Sequence, residues 1–250
     1  MYHGYGGKAQ VASAVDFQSE PYVQHFKYQS WPDDEGLDVE FRLIYRGSLP
    51  AQRDGRGGSR VEEKHVIRRQ FHGQLRELWH THPVLAKHYA VTLPHTRKLI
   101  VPDLRDDESQ QTSGFDFISR NYTKFGYRFV PLINNQFGIA CSLDILFLRR
   151  DAPGNLIASG GDIDNRMKVL FDGLRVPKYN SEIEGLPPQE GENPFFCLLE
   201  DDALITDVKV TTDRLLTPMD DGEAIHDVHL VIHVLTKIMD AGKAWPDFAF

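Results

Sequence analysis

Two hydrophobic periods alternate along this chain. Residues 38–46, Asp-Val-Glu-Phe-Arg-Leu-Ile-Tyr-Arg, carry β-branched and aromatic side chains at Val39, Phe41, Ile44 and Tyr45 and read as a first strand. The spacing then becomes helical: Val66, Phe71, Leu75 and Trp79 form a stripe over residues 60–80, with Ser59 placed to cap it and Glu62 and Glu63 in the first turn. Residues 138–149, Gly-Ile-Ala-Cys-Ser-Leu-Asp-Ile-Leu-Phe-Leu-Arg, give the strongest strand, ended by a turn at Asp151–Asn155. A second helix follows over 164–175, with Met167, Leu170, Phe171 and Leu174 on one face. Strands at 198–210 and 225–236 close the pattern.

The intervening stretches read less regularly. Residues 1–36 are polar and aromatic and end in Trp31-Pro32-Asp33-Asp34-Glu35-Gly36, so they are expected to be an extension to the main domain. Between 84 and 137 lie an apolar Leu99–Val101, a polar loop from Asp103 to Ser113 and an extended Tyr127–Leu132. Residues 176–194 are rich in Pro, Glu and Gly and are expected to form a surface loop. The main domain is expected to span 37–240, with 241–250 as a tail.

Composition changes this picture little. At 41% hydrophobic and 26% charged over 250 residues, a sizeable core can form. No run of about 18 apolar residues exists, the first residues lack the regions of a signal peptide, and two cysteines, Cys141 and Cys197, suit buried free thiols. A protein of the reducing cytoplasm, away from membranes, is expected. Charge changes more. The net of −8 divides unevenly: residues 41–98 hold 12 Lys+Arg against 4 Asp+Glu, and residues 181–240 hold 3 against 14. One part could attract phosphates while the other presents carboxylates, as a metal-dependent nuclease requires. Two solvated faces that happen to segregate would look the same.

Candidate chemistry concentrates in Gly161-Asp-Ile-Asp-Asn-Arg-Met-Lys-Val-Leu-Phe-Asp-Gly-Leu174. In extended chain Asp162 and Asp164 share a side, and Asp164, Lys168 and Asp172 then recur at four-residue intervals along the helix. Carboxylates are the ligands that a hard divalent cation takes. A second acidic group, Leu199-Glu-Asp-Asp-Ala-Leu-Ile-Thr-Asp207, completes a site if the two strands are neighbours. The opening Asp162-Ile-Asp-Asn fails as an EF-hand loop, because Met167 replaces the glycine and Gly173 replaces the bidentate Glu. A purely structural reading also stands: Asp164 caps the helix and Lys168 pairs with it.

These segments together resemble the RusA family of Holliday junction resolvases. The resemblance rests on Asp162-x-Asp164-Asn165-x-x-Lys168-x-x-x-Asp172-x-Leu174, then Leu199-x-Asp201-Asp202-Ala203-x-x-x-Asp207, then the closing strand from Asp227. It implies an α/β (α+β) fold, a mixed sheet flanked by helices, here with an N-terminal extension and insertions near 84–137 and 176–194. It further implies a homodimeric endonuclease that cuts branched DNA in recombination and repair, using magnesium or its substitute manganese. By the resemblance, Asp162, Asp164 and Asp202 are the catalytic metal ligands and Lys168 the active-site lysine. Asp201, Asn165 and Asp172 are candidates to support them. Two other readings remain: a related nucleic-acid-binding module with altered catalysis, and an interaction domain whose acidic C-terminal part binds a basic protein.

Basic residues suggest where DNA would lie. Arg53, Arg56 and Arg60 belong to or adjoin a Gly-rich loop, and Lys64, Arg68 and Arg69 follow on the helix. Arginine forks bind phosphate oxygens in pairs and position a backbone without reading its sequence. A mobile surface loop with ordinary charge is the plainer alternative. His80, His82 and His88 lack partners at zinc-site spacing, and His229 and His233 alternate with core positions and should face outwards.

Overall fold

The computed structural model describes residues 39–50, 60–83, 85–86, 114–150, 163–218, 224 and 227–240. They form a mixed α+β fold with two sheets. Strands β1 (Glu40–Ser48), β4 (Ile139–Arg149), β6 (Ile205–Arg214) and β7 (Asp227–Ile238) make a four-stranded sheet in the order β1-β7-β4-β6. Its neighbours are antiparallel except β4 and β6, which run parallel. Strands β2 (Thr123–Lys124), β3 (Tyr127–Ile133) and β5 (Phe195–Leu199) make a second sheet, β2-β3-β5, with β3 and β5 parallel. Helices α1 (Val61–Thr81), α2 (Gly114–Asn121) and α3 (Ile163–Leu174) complete the frame among the described residues.

Strand alternation builds the large core. Phe41, Leu43 and Tyr45 of β1 stand opposite Val234, Ile232 and Leu230 of β7, which in turn face Leu143, Ile145 and Phe147 of β4. These positions lie on one side of the pleat, and α1 covers them with Ile67, Phe71, Leu75 and Trp79. The buried stripe therefore begins at Ile67. Val66, expected in it, is 51% exposed. Helix α3 crosses α1 closely, since a Cβ on Gly173 would come within 2.4 Å of Ile67 Cγ2. Ile67 is fully buried and cannot withdraw, so glycine is required here.

A smaller core joins Tyr127, Phe129, Val176, Ile183, Phe195 and Cys197. Its aromatic rings meet at centroid distances of 5.2–5.9 Å. Two expectations need correction here. Residues 176–194 are more than a surface loop, because Val176 and Ile183 close this core. The expected single strand over 198–210 is two strands in two sheets, separated by a 3-10 turn at Asp202–Leu204. Helix α2 has no counterpart among the expected elements. Cys141 and Cys197 are free and buried, and burial pushes each thiol up to about 12. His229 and His233 lie on the half-exposed side of β7, as alternation requires.

Several expectations fall outside the described residues: the extension 1–36, Ser59, the Leu99–Val101 segment, the loop Asp103–Ser113, the turn Asp151–Asn155 and the tail 241–250. Among the described residues no helix is long and apolar enough to cross a membrane.

Candidate metal centre and nucleic-acid interface

The carboxylates expected to gather around one cation divide between two places. Asp164 is the second residue of α3, in the turn where a negative charge meets the unsatisfied N–H groups of a helix start. Its side chain is 66% exposed, and Oδ2 lies 2.6 Å from Lys168 Nζ, one turn along. Asn165, beside it, is half-buried. Asp162 lies outside the described residues.

Asp201 and Asp202 occupy the turn between β5 and β6. Asp201 is extended, and its Oδ1 accepts the Ala203 N–H at 2.9 Å, so this side chain itself caps the 3-10 turn. The turn rotates Asp202 out of strand alternation. Both carboxylates consequently face Lys178 Nζ, at 2.9 Å from Asp201 Oδ2 and 2.8 Å from Asp202 Oδ1. Burial opposes ionisation of Asp201, yet the Ala203 N–H, Asp202 and Lys178 outweigh it and bring the carboxyl down to about 2. Contacts from Asp202 and then Asp201 raise Lys178 above the ordinary lysine range. Glu200, the preceding residue, binds elsewhere, its Oε2 accepting the Asn135 N–H at 2.7 Å.

Asp164 does not join this pair. Among the described residues no three His, Cys, Asp or Glu side chains are grouped to hold a metal. Helix geometry gives the reason. Asp164 is in the first turn of α3 and Arg175 just beyond its last, so a rise of 1.5 Å per residue separates them by roughly 16 Å. It is Arg175 that bridges to Leu199, the residue leading into the acidic turn. The donor chemistry nevertheless suits magnesium: Asp201 and Asp202 offer hard oxygens to one point, which the Lys178 ammonium now holds.

Asp172 belongs to another system, which corrects its expected role beside the metal ligands. Lys64 Nζ lies 2.6 Å from its Oδ2 and Arg175 Nη2 2.5 Å from its Oδ1. Burial raises its carboxyl, but Lys64 and Arg175 prevail and hold it below the usual range. Arg68 is the larger correction. It is 1% exposed, and its guanidinium donates to the Asp172 carbonyl at 2.9 Å and the Glu182 carbonyl at 3.2 Å. No phosphate can reach it. Glu182 also pairs with Arg175 at 3.1 Å. Arg69 forks onto Glu192, with Nε–Oε1 at 2.5 Å and Nη2–Oε2 at 3.3 Å.

The basic segment thus meets carboxylates inside the molecule, Glu182 and Glu192 from the acidic segment and Asp172 from α3. Lys64, Arg68 and Arg69, expected to bind DNA, are partnered by Asp172, Glu182 and Glu192. Arg60 remains at the half-exposed start of α1, while Arg53 and Arg56 lie outside the described residues. Of the histidines, His82 is buried and held down to about 4, His80 bonds the Arg76 carbonyl, and His88 is outside the described residues. Lys178 is hidden from sequence reasoning because it opens a Pro- and Glu-rich stretch that reads as loop.

This chain matches no protein-family model, no curated protein and no solved structure.

Proposed function

We propose that this protein is a magnesium-dependent endonuclease acting on branched or otherwise structured DNA, as the RusA-like motif order implies. The observation that carries this reading is the acidic turn. Asp201 and Asp202 depart from strand alternation to aim two carboxylates at a single cation, one of them ionised far below neutral pH. Asp202, with Asp201 beside it, would hold the metal, which when bound activates water and offsets charge at the phosphorus, and the resemblance adds Asp162 and Asp164 to the set only if α3 is brought towards the acidic turn. Lys168 holds Asp164 in place by their ion pair. Lys178 offsets the charge of the acidic pair.

A second reading is a DNA-binding or protein-interaction module with altered catalysis. It is favoured by the separation of Asp164 from Asp202 and by the internal use of Lys64, Arg68 and Arg69. Cleavage of junction, fork, flap, duplex and single-stranded DNA across a magnesium titration tests both. Under the first reading, Asp162→Asn, Asp164→Asn and Asp202→Asn each abolish cleavage and leave binding intact. Binding without metal-dependent cleavage by the wild-type protein would leave the second.

A further inference from the structure

Two side chains of α1 hold β5 and the residues before it against the helix. Arg69 forks onto Glu192, whose Oε2 also accepts the Gln189 N–H at 2.8 Å. His72, 6% exposed, lies face-on to Phe195 with ring centroids 4.5 Å apart. Its Nδ1 is 2.9 Å from the Phe196 nitrogen and its Nε2 3.1 Å from the Gly191 oxygen. These partners fix the ring's protons. A peptide N–H only donates and a carbonyl only accepts, so Nδ1 is bare and Nε2 carries the hydrogen. The opposite neutral tautomer would set N–H against N–H at Phe196 and lone pair against lone pair at Gly191. The imidazolium keeps the Gly191 bond but turns an N–H onto the Phe196 N–H. Flipping the ring gives no relief, because the cation carries a hydrogen on both nitrogens.

We infer that His72 is a proton-operated latch: neutral, it fastens β5 to α1, and on taking up a proton it releases Phe196 and loosens the strand that leads into the acidic turn. The groups around the ring are of the wrong sign or already engaged. On α1 they are Arg69, Arg76 and, across Phe195, His65, itself kept neutral by burial. Glu192, from the turn at 189–192, is held by Arg69. On the small sheet Tyr127 donates to the Leu186 carbonyl, Arg128 pairs with Asp116 of α2, and Cys197 is a buried thiol. Burial, the largest influence, keeps His72 below the ordinary histidine value. The opened form takes up the proton near about 6.5, the latched form only lower, so the latch is closed above that pH and loosens as pH falls. Burial raises the Glu192 carboxyl, but Arg69 and the Gln189 N–H prevail and hold it below the usual range. The Arg69–Glu192 fork therefore outlasts the His72–Phe196 bond, and acid frees β5 while the turn at 189–192 stays on α1.

Ring nitrogen shifts and amide exchange of the whole chain, followed by NMR from about pH 7.5 down to about 5, test the latch. At the upper end His72 should show a bare Nδ1 and a protonated Nε2. Protection of the Phe196 amide, corrected for intrinsic exchange, should fall by up to about tenfold per pH unit once the opened form begins to bind the proton. The opening is local, so β7 amides in the large core should stay better protected at every pH. His72→Asn places an acceptor near the Nδ1 position that does not titrate, and should abolish the fall, whereas His65→Phe should leave it in place. Should His72→Asn lose the Phe196 protection at all pH values, the wild-type titration decides: the Phe196 amide and His72 Nδ1 must then share one midpoint. A hydrogen on Nδ1 at neutral pH, Phe196 protection indifferent to pH or equal to that of β7, separate midpoints, or a fall that survives His72→Asn or vanishes in His65→Phe would each overturn the inference. None of these readouts depends on whether the protein cleaves DNA.

Discussion

Two regions of this protein use the same ions for different ends. Between α1, α3 and residues 176–194, Lys64, Arg68 and Arg175 are enclosed with Asp172 and Glu182. At the head of α3 and the turn before β6, the ion pairs Lys168–Asp164 and Lys178 with Asp201 and Asp202 are open to water. Burial decides what each can do. An enclosed pair is tied to its partners, because removing one leaves a charge without water or counter-ion. An open pair is worth little to stability and can exchange its partner for another cation. The first region is architecture, and the second is available for chemistry.

The sharpest way to break that contrast is Asp172→Ala. It takes the carboxylate away from Lys64 and leaves Arg175 with Glu182 alone, in a part of the molecule where Arg68 already depends on the Asp172 backbone and Glu182. The expected loss is about 3–5 kcal/mol in urea unfolding. A loss below about 1 kcal/mol would mean that water reaches these groups, and would put the network in the same class as the open pairs.

Acid should act next, and on the enclosed side first. His65 is buried against Phe195 and Tyr127, and desolvation, then Arg69 and Arg68, hold it down to about 4. The unfolded chain takes up this proton near the ordinary histidine value of about 6.5, before the folded chain does. Stability is therefore full above that pH and falls as pH drops towards 4. His82 acts in the same direction. His65→Phe should flatten unfolding free energy against pH in this window, a difference that accumulates to about 3 kcal/mol at its lower end. An unchanged slope would assign the acid sensitivity to other groups.

The two regions were also unequally legible in the sequence. Strands β1, β4 and β7 and helices α1 and α3 follow from local period, since each buries one continuous face. The fate of Arg68 was not local. Its partners Asp172 and Glu182 are separated from it by 104 and 114 residues, so a buried arginine looked like a surface one. The acidic turn failed for the opposite reason. Apolar Phe195–Leu199 and the later Ile205 and Val208 suggest one strand, yet Asp201 caps the backbone of Ala203 and breaks it. An aspartate two residues before a free N–H was the available signal. The pairing of Asp162 with Asp164 rested on extended chain before a helix, and the described residues begin at the helix.

Asp202→Asn addresses the open region directly. It removes one contact of a pair whose side chains are 37% and 41% exposed, so unfolding free energy should change by less than about 1 kcal/mol. Under the nuclease reading cleavage disappears in the same variant. Destabilisation comparable to Asp172→Ala would show that the acidic turn is architectural too.

The smallest effect isolates one of the three groups that hold Asp201 ionised, Lys178. Its folded value is about 2, below the ordinary aspartate value, so its stabilising contribution is present above about 4 and fades as pH falls towards 2. Burial opposes the charged form, while the Ala203 N–H, then Asp202 and Lys178, favour it. Lys178→Met removes the ammonium but keeps the capping bond, and leaves two carboxylates facing one position. Like charges at that range resist joint ionisation, so the Asp201 midpoint in a carboxyl carbon NMR titration should rise by about 1 unit or more. At neutral pH Asp201 is still ionised, and stability there should change by only a few tenths of a kcal/mol. A midpoint that stays near 2 would give control to the contacts inside the turn, the Ala203 N–H first and Asp202 after it. Lys178 would then be a loosely held counter-ion, which a divalent cation displaces at little cost.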